Sequence, residues 1–383
     1  MVTTFIPTFN EKSRVIINYV DQFIDRPIDL HKLLFKKTVD EILTTQFGLS
    51  WPYQSQRADE IKTLVDGYYE CLLYRVSHIY LKWDFLYRLT DFYKRQMKVQ
   101  TKFFQFISGT REYKNTEFQG KLTEDENELY ERISTNKLNY LEKCLWLEGE
   151  KQLTRENVLD ELVTILVGGS NTSADTLLLI LLMLATHQDC QDRVEAELHE
   201  LFESADDCVT PEHIANLKYL EVVIKETVRL FPILPVKYIS TFFARNFFSI
   251  IISTFPVMGR ETDAEVAIRG GTMPKGAMLM INVLNIQRSP KYWGENAHLF
   301  YPERFLPENY GNVHPYAFIG FSAGPRNCIG AKYAWYSMKI FLSSFLRRFK
   351  VTTDLEYKDL KIKSGMLLNV VNKNSVRIVR RKW

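Results

Sequence analysis

From about Glu11 to Leu201 the apolar residues recur at intervals of three and four with few turn residues between them, which predicts a run of helices. The clearest starts near Thr154, an N-cap residue with Glu156 in the first turn. It continues through Leu162, Ile165, Leu166 and Leu177 to Ala185 as one long central helix. Thr210-Pro211-Glu212 places an N-cap, a proline at N1 and an acid in order, predicting a helix towards Leu230. Beyond Phe231 the pattern changes to short strands punctuated by Gly270-Gly271, Pro274-Lys275-Gly276 and Pro290, until Gly330 opens another helical stretch. Leu360 to Val379 reads as a hairpin around Ser364-Gly365, and no internal repeat is present.

Composition narrows the class. The chain of 383 residues is 46% hydrophobic and 25% charged, which excludes collagen-like, low-complexity and wholly disordered chains. Length alone allows two or three domains; we read residues 1–383 as one. Lys plus Arg number 49 against 46 Asp plus Glu, so no global charge argues for nucleic acid as a partner. Five cysteines without paired spacing suggest neither a disulfide framework nor a zinc site and fit a reducing compartment. The longest apolar run, Leu177 to Ala185, falls short of the roughly 18 residues of a membrane-spanning helix. The segment from Met1 to Pro7 lacks the pattern of a signal peptide, so neither anchor nor leader is expected.

Candidate chemistry concentrates in Phe321-Ser-Ala-Gly324-Pro-Arg326-Asn-Cys328-Ile-Gly330, a glycine-rich loop entering a helix. Backbone N–H groups at a helix start favour negative charge, so the Cys328 thiol is expected to be acidified and ready to ligate a metal. Gly324 and Gly330 permit close approach of a flat cofactor, and Arg326 can bond a carboxylate. The bland alternative is a buried structural cysteine in a glycine-rich turn.

This loop resembles that of the cytochrome P-450 family, the haem-thiolate monooxygenases, matching Phe-x-x-Gly-x-Arg-x-Cys-x-Gly at every fixed position. The resemblance implies a mainly α fold with small β-sheets and haem b held by Cys328 as axial ligand, with Phe321, Gly324, Arg326 and Gly330 around it. Glu226-Thr-Val-Arg229 and Tyr301-Pro302-Glu303-Arg304-Phe305 follow in family order, implying a buried structural trio of Glu226, Arg229 and Arg304. Gly168-Gly169-Ser170-Asn171-Thr172-Ser173 resembles the oxygen-binding groove, a locally opened stretch of helix. Thr172 matches its proton-managing threonine, while Asn171 stands in the place of an acid and cannot donate a proton as one does. Arg288-Ser-Pro-Lys-Tyr-Trp293-Gly294 and His314-Pro-Tyr-Ala-Phe-Ile resemble the animal family-4 clan, insect members above all. Gly168 occupies the place of the glutamate that tethers haem in some of them, so no ester link is expected.

What the resemblance implies for function is hydroxylation of a lipophilic small molecule, such as a fatty-acid-like compound, hormone or xenobiotic, by molecular oxygen. Electrons would come from an NADPH-dependent reductase, with cytochrome b5 as an optional donor, at the endoplasmic reticulum membrane. Lys332, Lys339, Arg347, Arg348 and Lys350 form a candidate basic docking face for that partner, with an ordinary solvated helix face as the alternative. Two departures qualify this. The family's N-terminal part, including its anchor and early helices, precedes anything in this sequence. The segment 237–257 has no family counterpart and reads as an insertion or retained intron that displaces Arg260, the match to a haem-propionate arginine. A rival reading is a non-catalytic, haem-poor product of the same family.

Overall fold

Helix dominates the first two thirds of the chain, as the periodicity predicts. In a computed structural model, residues 2–24, 28–49, 56–124, 138–233, 237–241, 250–254, 257–268, 270–311, 313–364, 367–372 and 375–383 are described. The principal helices are α1 (Ile6–Gln22), α2 (Leu30–Phe47), α3 (Gln56–Ser77), α4 (Asp91–Glu124) and α5 (Tyr140–Gly149). They continue with α6 (Arg155–Thr186), α7 (Gln188–Leu201), α8 (Lys218–Leu230) and α9 (Ala331–Arg348).

The axis of the molecule is α6. Thr154 caps it by accepting from the Asn157 backbone N–H, and Asn157 accepts from Thr154 in return, so Asn157 rather than Glu156 completes the cap. Leu177 to Ala185 are buried on every side, and the helix as a whole packs chiefly on α2, through its Gly169–Asp175 stretch. The length and apolarity of this helix suit a membrane span, but its apolar residues are covered by other helices, which is the burial of a core element.

The helix predicted from Thr210 to Leu230 is two. A short piece, Pro211–Asn216, ends at Leu217, which leaves helical geometry, and α8 starts afresh. The break is stabilised from outside: the Glu197 carboxylate of α7 accepts from the N–H groups of Tyr219 and Leu220 at 2.5 and 2.9 Å, capping α8 in place of a local residue.

The described strands form five antiparallel pairs. These are β1 (Lys237–Thr241) with β2 (Ile250–Thr254), β3 (Val257–Glu261) with β6 (Met278–Asn282), and β4 (Val266–Ile268) with β5 (Gly271–Met273). The others are β7 (Phe349–Thr352) with β10 (Arg377–Arg380), and β8 (Ile362–Ser364) with β9 (Leu368–Val370). The last is a shorter form of the predicted hairpin, since the end of the expected span, Arg377–Arg380, pairs with β7 instead; its turn residues Gly365 and Met366 lie outside the described residues. Within the expected insertion, β1 and β2 pair with each other, and 242–249 lie outside the described residues.

An unusually polar contact joins α2 to α9. Lys37 meets Glu41 at 2.7 Å and Ser337 Oγ at 2.8 Å, Ser337 donates to Glu41, and Thr45 shares a hydrogen bond with Tyr333. Burial lowers the Lys37 pKa and raises that of Glu41, each opposed by the charge of the other.

Candidate functional site

The cysteine loop closes on itself before entering α9. Cys328 N–H donates to Phe321 O at 2.9 Å and Asn327 N–H to Gly324 O at 3.1 Å, while Ala334 N–H reaches Gly330 O at 2.8 Å. Gly324 lies at φ +76°, where an L side chain is strained, and a Cβ there would meet nothing within 4 Å. Cys328 is a free, exposed residue beside Ile329, which is 86% exposed. Arg326 is also exposed, Phe321 is half-buried, and Phe321 rests on Trp335 with ring centroids 5.7 Å apart. The exposure of Cys328 goes against the structural-cysteine alternative, since a packing cysteine is buried.

The thiol is not acidified as the sequence suggested. Neighbouring protein crowds the sulfur, although the residue as a whole is exposed, and this desolvation raises its pKa. The N–H groups of Gly330 and Ala331 pull in the opposite direction without prevailing.

Behind the loop, Glu226, Arg229 and Arg304 meet in the interior. Arg229 forks onto Glu226 with Nε–Oε2 at 2.6 Å and NH2–Oε1 at 2.8 Å, and Arg304 Nε reaches Oε1 at 2.9 Å. Both arginines spend their other donors on carbonyls: Arg229 on Gln287, Ala297 and Leu299, Arg304 on Trp293 and Asn296. Glu226 and Arg229 are wholly buried. The cluster thus gathers α8 and the irregular stretch 287–304 around one carboxylate.

Sequence reasoning missed two residues that carry this cluster to the cysteine loop. Gln287, fully buried, donates through Nε2 to Val228 O and Arg229 O, and accepts the Ile319 N–H on Oε1 at 2.9 Å. A Cβ built on Gly320 would fall 2.2 Å from Val228 Cγ1, so only glycine lets the segment leading into the loop lie on α8. Neither had a signal in sequence beyond an ordinary glutamine and one glycine among 17.

The groove motif lies on α6, which stays α-helical throughout. Its two glycines have different tasks. Gly168 is exposed with open space where a Cβ would stand, whereas a Cβ on Gly169 would come within 2.8 Å of Ile42 Cδ1, against α2. Thr172 Oγ1 donates to Gly168 O at 2.7 Å, and hydroxyls from other helices reach the same turn: Tyr69 to Val167 O and Thr38 to Ser170 O, both at 2.9 Å. A carbonyl has two lone pairs, so these donors are taken without the helix opening. Asn171 is buried and turned to α3, with Nδ2 on Asp66 Oδ1 at 3.1 Å.

Arg260 sits in β3 opposite Leu279 of β6, so its strand is paired despite the preceding segment. The basic docking face is corrected. Lys339 is buried on Ile214 O and Glu221, and Arg347 is buried on the carbonyls of Ser204 and Asp207. Arg348 pairs with Asp206 and Lys350 with Asp192, leaving Lys332 alone of the five exposed without an acidic partner among the described residues. Beyond its first turns α9 is largely covered, so Lys339 and Arg347 turn inward to carbonyls and a carboxylate.

A sulfur donor on an exposed loop, backbone N–H groups directed at it, and open space over Gly324 suit an iron-bearing planar macrocycle. Comparison with known proteins agrees. The family model described as cytochrome P-450 matches residues 2–240 and 251–378, its break falling inside 237–257. Probable cytochrome P-450 4ac1 of Drosophila melanogaster is 28% identical over 381 residues, covering all of this chain and 70% of that protein. Cytochrome P-450 4c21 of Blattella germanica is 28% identical over 95% of this chain and 68% of its own length. Probable cytochrome P-450 313a1 of Drosophila melanogaster is 34% identical over 63% of this chain and 45% of its own. The motifs, the mainly helical fold and a match along almost the whole chain place this protein in the cytochrome P-450 family of haem monooxygenases.

Proposed function

We propose that the chain hydroxylates a lipophilic small molecule, fatty-acid-like or else a hormone or xenobiotic, using molecular oxygen. An NADPH-dependent reductase would supply electrons, with cytochrome b5 as a second donor. The observation that carries this reading is the exposed Cys328 thiol on a loop held by Gln287 to the buried Glu226 cluster. The family-4 likeness supports the substrate class and a place at the endoplasmic reticulum membrane. The rival haem-poor product is not favoured by a family match of this extent.

Haem, when bound, supplies the redox chemistry of oxygen activation. Cys328 would hold its iron, Phe321, Gly324, Arg326 and Gly330 would flank the ligand, and Arg260 would meet a propionate. Glu226, Arg229 and Arg304 would brace the loop. Thr172 Oγ1 would hold and pass a proton: its hydroxyl hydrogen, bonded to Gly168 O, becomes available when the side chain turns. Asn171 contributes a hydrogen bond in place of an acid.

The reduced, carbon-monoxide difference spectrum of protein expressed with added haem tests this. A red-shifted thiolate Soret band that disappears in Cys328→Ala is expected; its absence from soluble, folded wild-type protein overturns the reading.

We also propose one domain interrupted by 237–257, an insertion or retained intron. The family match stopping at 240 and resuming at 251 supports it. Transcript reads that skip the segment are expected if it is an intron, whereas uniform coverage makes it a genuine insertion.

A further inference from the structure

The turn of α6 carrying Thr172 has Asn171 where the family resemblance implies an acid, and a carboxylate stands beside it on another helix. Asn171 is 5% exposed and its Nδ2 donates to Asp66 Oδ1 of α3 at 3.1 Å, while Lys62 Nζ holds the other oxygen at 2.7 Å. The Asp66 side chain is 45% exposed, so one carboxylate touches both solvent and the buried face of α6. Two further atoms of that turn, Ser170 Oγ and Asn171 Oδ1, are buried without a hydrogen-bond partner among the described residues. Buried polar atoms of this kind call for one, and water is the ordinary choice. The seam is polar on three sides: Tyr69 of α3 bonds Val167 O, and His31 of α2 meets Asp175 at 2.7 Å one turn beyond Asn171.

We propose that Asp66, held in place by Asn171, is the proton-uptake residue for Thr172, its carboxylate replacing from α3 the acid that α6 lacks. Asp66 takes a proton from solvent at a carboxylate oxygen and releases it to water in the seam. As Thr172 gives its hydroxyl hydrogen towards the groove, that water restores it, and every oxygen ends as it began. Asn171 neither gains nor loses a proton; its amide fixes which oxygen of Asp66 faces the helix. His31–Asp175 lacks the solvent contact, with side chains 9% and 12% exposed, and is a buried pair.

This inference rests on the proposed haem-thiolate reading, and its test separates the two. Haem-loaded protein on an electrode that supplies the electrons is followed by its oxygen-reduction current in water and in deuterium oxide, without substrate or reductase. Asp66→Asn is expected to lower the current about tenfold, as loss of supporting groups around metal sites does, and to alter the solvent isotope effect. The exchange Asp66→Asn with Asn171→Asp, which keeps one acid and one amide in contact, is expected to restore both. A double-mutant cycle of Asp66→Ala and Asn171→Ala in denaturant reads the pair without haem, and coupling between them is expected. If Asp66→Asn leaves current and isotope effect at wild-type values, or if Asp175→Asn alone removes them, the proposal is wrong while the thiolate band stands. If the wild type forms no thiolate band, the functional reading fails and takes this one with it.

Discussion

Gln287 and Ile319 join the buried charge cluster to the cysteine loop: Gln287 Oε1 accepts the Ile319 N–H at 2.9 Å while its amide nitrogen holds the carbonyls of Val228 and Arg229. One neutral side chain thereby sets the height of the loop above α8. Gln287→Leu strands three buried backbone groups, and a loss of about 1–3 kcal/mol is expected for each group left unpaired. Chemical denaturation measures the stability, and the thiolate Soret band should weaken in parallel. A variant as stable as wild type contradicts the role.

Gly320→Ala places a methyl group where Val228 Cγ1 already stands, 2.2 Å away. Overpacking of this kind is expected to cost about 1–3 kcal/mol. Val228→Ala in the same chain removes the obstructing atom, so the double variant should recover part of the loss in denaturant melts. No recovery would mean that the strain lies elsewhere.

Glu226→Gln removes the carboxylate that, alone among the described residues, faces two buried guanidinium groups. Breaking a buried ion cluster on one side typically costs about 3–5 kcal/mol, so soluble yield and midpoint of unfolding should both fall sharply. A milder loss in Arg304→Met than in Arg229→Met is expected, because Arg304 is 7% exposed and Arg229 not at all.

Glu221 gives a pH signature. Burial raises its pKa, but Lys225 and Lys339, both at 2.6 Å, outweigh this, and the net value lies below the ordinary 4.5. A carboxylate with a depressed folded pKa contributes stability that is full above its unfolded value and lost as pH falls through the folded one. Stability followed downwards from about pH 5 should therefore decline more steeply in the wild type than in Glu221→Gln. Parallel curves would show that the pair does not titrate with folding.

The sequence disclosed those features that are local or ordered along the chain. The loop at Phe321 to Gly330 is a contiguous pattern, and Glu226, Arg229 and Arg304 are recognisable by order. The cap at Thr154 and the hairpin around Ser364 follow from neighbouring residues. Features fixed by distant packing were not legible. Gln287 matters because Ile319 and Val228 come to it, and Gly320 because of one methyl group on α8. The break at Leu217 is stabilised by Glu197, which lies on another helix. Lys339 and Arg347 read as surface charges because carbonyls such as those of Ile214 and Ser204 leave no mark in a pattern of side chains.

The hydroxyls on α6 have a mechanical consequence. Val167, Gly168 and Ser170 carry tethers from Tyr69 of α3, Thr172 of α6 itself and Thr38 of α2. Flexing of the rod at its glycines would load the bonds to Tyr69 and Thr38 on two other helices. A molecule pressing on this turn is therefore felt in two other helices at once, and a shift of either alters how readily the turn yields.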